Sequence, residues 1–204
     1  MHEYHKISNL FTRDRETGDI IEGSWTKDEF SHLQNLTWLW TEKFDGTNIR
    51  VIFDNDGVAE YRGKTDRAQI PPLLLSHLHD KFDEIEEFAG LTLYGEGIGY
   101  KIQKGGLYVN GEQRCEFVLF DVRAGDFWLK REDVEGIASA FSIPIVPIVS
   151  YGTLCQAMDF VRAGFKSERN NVLEAEGLIC VPQVQLFNRM GERVIVKVKR
   201  RDFK

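Results

Sequence analysis

The sequence predicts an α+β fold built on antiparallel sheet. Three observations carry that expectation. Segments rich in β-branched and aromatic residues outnumber helical ones. They are joined by turn residues, such as Asn55-Asp56-Gly57 and Asn110-Gly111, and not by crossover helices. The helical segments are few and fall between runs of strand, which is the arrangement of an α+β chain.

Residues 38–43 and 47–53 read as strands. The turn at 55–57 returns the chain through a strand at 58–62, closing a hairpin. After Pro71-Pro72, the residues Leu75, Leu78, Phe82 and Ile85 recur at helical spacing, so one amphipathic helix is expected there. Strands at 91–95, 107–109 and 116–122 follow, the last two turning at Asn110-Gly111. Helices over 131–141 and 153–163 precede strands over 177–181 and 193–199. No low-complexity tract, Pro/Ser-rich linker or internal repeat interrupts the chain, so one domain over residues 1–204 is expected.

Composition bounds the function. At 204 residues, 42% hydrophobic and 28% charged, the chain can bury a sizeable core and is not a disordered one. No apolar run approaches the roughly 18 residues of a membrane span, and the N-terminus lacks the basic and then apolar regions of a secretory signal. Cys115, Cys155 and Cys180 are too far apart for a CxxC zinc site or a disulfide framework. The histidines (His2, His5, His32, His77, His79) add no zinc spacing. A soluble, cytoplasmic protein is expected. The net charge of −6 argues against a polyanionic partner until its distribution is seen: residues 192–204 carry +4, leaving −10 for the remainder. A basic edge on an acidic body still attracts phosphate, because local field dominates at short Debye lengths.

Two glycine-rich stretches imitate nucleotide loops. Gly57-Val-Ala-Glu-Tyr-Arg-Gly63-Lys64-Thr65 has five residues between its glycines where a P-loop has four, and its middle reads as strand. Gly95-Glu96-Gly97-Ile98-Gly99 follows a strand, but the polar stretch behind it opens no helix. A third stretch, Lys43-Phe44-Asp45-Gly46, lies between two strands. Alone it is as much a hairpin turn as a site. Its company raises it. Downstream come Arg62-Gly63, the strand carrying Glu96, Phe120-Asp121, Glu176-Gly177 and Lys197-Val198-Lys199, each polar group in or beside a strand. Lys197 and Lys199 alternate with valines, so both amines share one strand face, as a phosphate clamp or a plain solvent face requires.

This ordered set resembles the covalent nucleotidyltransferase superfamily of nucleic-acid ligases and capping enzymes, and within it the RNA ligase 2-like branch. The resemblance rests on EKFDGTN at 42–48, LYGEGIGYKIQKGG at 93–106, EFVLFDV at 116–122, EAEGLI at 174–179 and VIVKVK at 194–199. Tyr4 to Phe11 also resembles a family opening. The resemblance implies an antiparallel-sheet adenylyltransferase domain, ATP-grasp-like, with ATP as cofactor and Mg²⁺ or Mn²⁺ beside it. It implies that Lys43 is the nucleophile that becomes lysyl-AMP, that Glu176 holds the divalent metal, and that Glu96 meets the ribose hydroxyls. Phe120 would stack on the base, Asn48 and Arg62 would contact sugar or phosphate (with Arg67 as the substitute for Arg62), and Lys197 and Lys199 would hold phosphates. Backbone groups of Glu42 and Phe44 would read the base edge. The implied activity is ATP-dependent joining of an RNA 5′-phosphate to a 3′-OH, with no membrane partner. Rival readings are a nick-sealing DNA ligase, a GTP-using guanylyltransferase, or a non-catalytic nucleic-acid end-binding module. Neither an OB-fold nor a helical C-terminal domain is expected within 1–204, and an accessory subunit would be the partner replacing it. An intracellular setting, phage-encoded or cellular, goes with that activity.

Overall fold

Sheet begins earlier in the chain than its residue preferences suggest. The computed structural model describes residues 3–111 and 113–203, so His2 and Lys204, which entered the histidine and charge readings, lie outside the described residues. In chain order the elements are β1 (Ser8–Asn9), β2 (Phe11–Arg13), β3 (Ile20–Trp25), α1 (Asp28–His32), β4 (Trp38–Glu42), β5 (Thr47–Phe53), β6 (Ala59–Arg62), α2 (Pro72–Phe82), β7 (Leu91–Gly99), β8 (Cys115–Ala124), β9 (Phe127–Trp128), α3 (Arg131–Ala140), β10 (Ile148–Gly152), α4 (Leu154–Ala163), β11 (Gly177–Pro182) and β12 (Val196–Lys199). The α+β class holds, and every strand pairing is antiparallel except the short one of β1 with β12. No helix among the described residues is long and apolar enough to cross a membrane.

The chain forms two compact units. One comprises the residues through His5 and Phe44–Val146. Its sheet has the order β6-β5-β7-β8-β9. Alternation along β5 sends Ile49, Val51 and Phe53 to one face, where they join Leu93, Phe117 and Val122 against Leu74, Leu78 and Phe82 of α2 and Val134 and Ala138 of α3. Each such fully buried Leu or Phe contributes about 1.5–3 kcal/mol. The buried stripe of α2 is Leu74-Leu78-Phe82, an i, i+4, i+8 row, one residue away from the expected start at Leu75. Residues 107–109 are not a strand. The chain makes a 3-10 turn at Gly105–Tyr108, folded so tightly against the end of β7 that a side chain on Gly105 would approach the Gly99 nitrogen to 3.0 Å. In β8, Tyr94 faces Asp121 and Gly95 faces Leu119, so Phe120 is the extra residue of a bulge.

The other unit comprises Lys6–Lys43 and Pro147–Lys204. Its main sheet has the order β1-β12-β11-β4-β10, beside a β2–β3 ribbon. Trp38, Trp40, Leu178, Cys180, Val196 and Val198 form its buried side, packed with Leu154, Ala157 and Val161 of α4. Thr153 caps α4 through a capping box: its hydroxyl accepts from the Gln156 N–H at 3.2 Å, and the Gln156 side chain accepts from the Thr153 N–H at 2.9 Å. The expected strand over 193–199 begins only at Val196. Before that point the chain pairs elsewhere, with the Val194 N–H donating to the Leu186 carbonyl at 2.9 Å and Arg193 bridging Phe187.

Candidate active site

In the second unit, strand alternation separates two neighbouring residues. Glu42 shares the face of Trp38 and Trp40, so its side chain is buried (1% exposed), while Lys43 leaves the strand on the opposite face. The Lys43 N–H donates to the Gly177 carbonyl at 2.9 Å, and Gly177 stands opposite Lys199 on β12. No other residue fits at position 177, where φ is +154° and a Cβ would lie 2.1 Å from the Val198 carbonyl oxygen. Lys43 Nζ lies 2.5 Å from Glu176 Oε2. Lys199 is 7% exposed, and its burial pulls the ammonium pKa down, opposed by the Asp202 and Glu176 carboxylates and reinforced by Arg201 and Arg13. Lys197 shares its face, half-buried opposite Ile179.

Of the two glutamates in EAEGLI, Glu174 pairs with Lys166 at 2.5 Å and with Arg200, leaving Glu176 as the one beside the lysine. The Glu42 carboxylate is a structural tie that its sequence context does not announce. Its Oε2 accepts from the Glu168 N–H at 2.9 Å, Ser167 donates to it as well, and burial pushes its pKa up against both bonds. The contribution expected of Glu42 was through its backbone, and the side chain's inward turn leaves that possible.

In the first unit, Asn48, Arg50, Arg62, Tyr94 and Glu96 lie on the sheet face opposite α2, since Asn48 stands against Glu96 and Arg50 against both Tyr94 and Arg62. The Gly46 N–H donates to Glu96 Oε1 at 3.1 Å. A Cβ on Gly46 would meet the Gly97 carbonyl oxygen at 2.3 Å, so the KxDG turn closes onto β7 only with glycine there. Asn48 Oδ1 is buried with no hydrogen-bond partner among the described residues, an acceptor that suits a sugar hydroxyl. Arg62 pairs with Glu60, and Arg67 is exposed beyond the strand. Phe44 is 3% exposed with its ring 4.8 Å from that of Tyr108, so its side chain is core and only its backbone is available to a base.

Two first-unit residues were missed from sequence as parts of the site. Arg50 is fully buried, donates from Nε to the Gly63 carbonyl at 2.9 Å and from Nη2 to Asp66 Oδ1 at 2.7 Å, and so fixes the segment after Arg62. Its signal was an arginine at an interior strand position. Tyr4 donates to Asp121 Oδ2 at 2.5 Å and sets its ring edge-on to Phe120, centroids 5.1 Å apart. Those partners lie 117 residues apart for Tyr4 and Asp121, and no local signal links them.

No group of three or more His, Cys, Asp or Glu side chains able to hold a metal occurs among the described residues. A lone carboxylate such as Glu176 suits Mg²⁺ or Mn²⁺, which bind through one or two carboxylates together with substrate phosphates and water. The donor set fits a metal that arrives with a nucleotide.

The RNA ligase family profile matches residues 36–199. Comparison with curated proteins gives no match. Among solved structures, an archaeal ATP-dependent RNA ligase is similar over 100% of this chain and 49% of its own, with a TM-score of 0.67 and 16% identity. The Naegleria gruberi RNA ligase with PPi is similar over 96% of this chain and 61% of its own (TM-score 0.65, 21% identity). A mutant of that ligase with ATP and Mn is similar over 84% and 52% (TM-score 0.65, 20% identity). These likenesses show a shared fold, and the chain spans between 49% and 61% of the length of those proteins. With the family profile matched across most of its length, the chain belongs to the RNA ligase family.

Proposed function

We propose that this chain is an ATP-dependent RNA ligase whose residues 1–204 make up the nucleotidyltransferase domain. The Lys43 amine attacks the α-phosphorus of ATP; a P–N bond forms, the α–β P–O bond breaks, and pyrophosphate leaves. An RNA 5′-phosphate oxygen then attacks the same phosphorus, breaking the P–N bond and returning Lys43. Finally a 3′-OH attacks the activated 5′-phosphate and AMP departs. The observation that carries this reading is the placing of Lys43 beside Glu176, with Lys199 across Gly177.

Lys197 and Lys199 hold phosphoryl oxygens, whose charge must be neutralised as the phosphoryl group transfers. The lowered pKa of Lys199 reflects the energetic cost of a buried ammonium, and a bound phosphate offsets it. Glu96, held by the Gly46 N–H, faces the ribose; Asn48 offers its buried amide; Arg62 exchanges Glu60 for phosphate; Phe120, projected by the bulge, stacks on the base. Glu176 would hold the divalent metal, which would supply charge neutralisation at the transferring phosphate. RNA ends with 5′-phosphate and 3′-OH are the substrate, in a cytoplasmic setting, with an accessory subunit aiding the grip on RNA.

The test is sealing of a nicked RNA duplex against an all-DNA nick, with ATP or GTP and Mg²⁺. Joining of the RNA nick with ATP supports the reading. Joining of the DNA nick alone, or use of GTP, transfers it to a DNA ligase or a guanylyltransferase.

A further inference from the structure

The segment that follows β7 has features the nucleotide chemistry does not use. Residues 99–114 carry Lys101, Lys104 and Arg114 against Glu112, a net +2 in a chain of −6. Lys101 and Gln103 adopt left-handed backbone conformations (φ +59° and +49°), which residues with a Cβ rarely do. Glycine would remove that strain, yet a lysine and a glutamine stand there. Its source is Ile102, 3% exposed and part of the first unit's core. The Ile102 N–H donates to the Gly99 carbonyl at 3.1 Å and the Gly105 N–H to the Ile102 carbonyl at 2.6 Å. With Ile102 plugged inward, Lys101, Gln103 and Lys104 are all exposed. Strain held in place by a buried anchor, displaying polar side chains, is the pattern of a functional loop.

Tyr100 completes the surface. It is 39% exposed, carries the Lys101 ammonium 5.0 Å from its ring centroid, and is tied by its N–H to the Arg114 carbonyl at 2.9 Å. Tyr100 and Arg114 line an open hollow of about 330 Å³. An exposed aromatic among cations is the combination that holds single-stranded nucleic acid, the ring taking a base and the cations its phosphates. The loop continues the strand that bears Glu96, and Tyr108 at its end packs on Phe44, the residue after Lys43.

We infer that Tyr100, Lys101, Gln103 and Lys104 grip the RNA strand whose 5′-phosphate receives AMP. This rests on the proposed ligase reading and adds a substrate-strand site to it. Tyr100 stacks on a base near the 5′ end, while Lys101 and Lys104 each meet a phosphate and Gln103 offers its amide to the sugar-phosphate chain.

Two measurements test it on the full chain. Binding of a 5′-phosphorylated single-stranded RNA is followed by fluorescence anisotropy across a salt series. Covalent labelling by α-labelled ATP reports the nucleotide step separately. The double variants Lys101→Glu/Lys104→Glu and Lys101→Gln/Lys104→Gln should weaken RNA binding at least tenfold. Losing two phosphate contacts should flatten the slope of log K against log salt by about 1.4, at roughly 0.7 per contact on a single strand. Tyr100→Ala should weaken binding about tenfold with the slope unchanged. All three should label with ATP within twofold of wild type and melt at its temperature. Unchanged RNA affinity and slope would overturn the inference, as would parallel loss of labelling, which would give the loop to the nucleotide. A wild-type chain that takes no label would defeat the ligase reading, and the RNA titration would still decide the loop.

Discussion

Lys43 Nζ lies 2.5 Å from Glu176 Oε2, with the two side chains 24% and 21% exposed. A pair this close to water adds at most about 1 kcal/mol to stability, so its weight lies in chemistry. The expected nucleophile and the expected metal ligand neutralise one another. An amine attacks phosphorus only after losing its proton. Glu176 would hold the divalent cation that comes with the nucleotide, and that cation would supply positive charge at the transferring phosphate.

Glu176→Gln should therefore lower lysyl-AMP formation at least about 100-fold at saturating ATP and Mg²⁺, the loss expected when a group stabilising transferring charge is removed. Chelation of divalent metal should abolish labelling of the wild type. Rapid-quench labelling with α-labelled ATP measures both, and a variant labelling at the wild-type rate would separate Glu176 from the reaction.

Gly46→Ala should cost both stability and reaction. Its Cβ would stand 2.3 Å from the Gly97 carbonyl oxygen and 2.9 Å from Glu96 Cγ, and the first of these is backbone that cannot swing away. A destabilisation of about 1–3 kcal/mol is expected from such overpacking. The displaced Glu96 should also raise KM for ATP. Thermal melting and ATP-dependent labelling kinetics check the two effects independently.

Glu42 gives the chain a pH signature. Burial raises its carboxyl pKa above the ordinary 4.5, so the folded protein holds that proton longer than the unfolded chain does. Stability contributed at this site is full below pH 4.5 and falls as pH rises through the raised value. Glu42→Gln removes that fall. The melting temperature of the variant relative to wild type should thus increase between pH 4 and pH 7, and a constant difference would contradict the burial argument.

Tyr4 holds Phe120 from the side and Asp121 by its hydroxyl. Tyr4→Phe removes only the hydrogen bond to a carboxylate, at a cost of about 1.5–3 kcal/mol. Tyr4→Ala also removes the ring edge that positions Phe120. If Phe120 stacks on adenine, Tyr4→Ala should raise KM for ATP several-fold with kcat little changed, and Tyr4→Phe should restore most of it. Steady-state labelling kinetics of the two variants provide the comparison.

The parts of this molecule legible in sequence are those with local codes. The hairpin around Asn55-Asp56-Gly57, the β5 strand and the spacing of α2 follow from turn chemistry and period, and Lys43, Glu176, Lys197 and Lys199 stood out by motif order. Non-local pairing erased the rest. β1 is two residues long and exists because Ser8 and Asn9 pair with β12. Gly105–Tyr108 turns because the chain end of β7 leaves no room to extend. The Phe120 bulge needs the register of β7, and the Tyr4–Asp121 bond spans most of a unit in sequence. Glu42 looked like part of a reactive motif, and only strand alternation shows its carboxylate turned into the core.

The central claim is that Lys43 takes AMP from ATP. The direct measurement is incubation with α-labelled ATP and Mg²⁺ followed by denaturing electrophoresis and mapping of the labelled peptide. Label on the wild type, located at Lys43, absent from Lys43→Ala and released by pyrophosphate, is the predicted result. No label on the wild type, or equal label on Lys43→Ala, would contradict it.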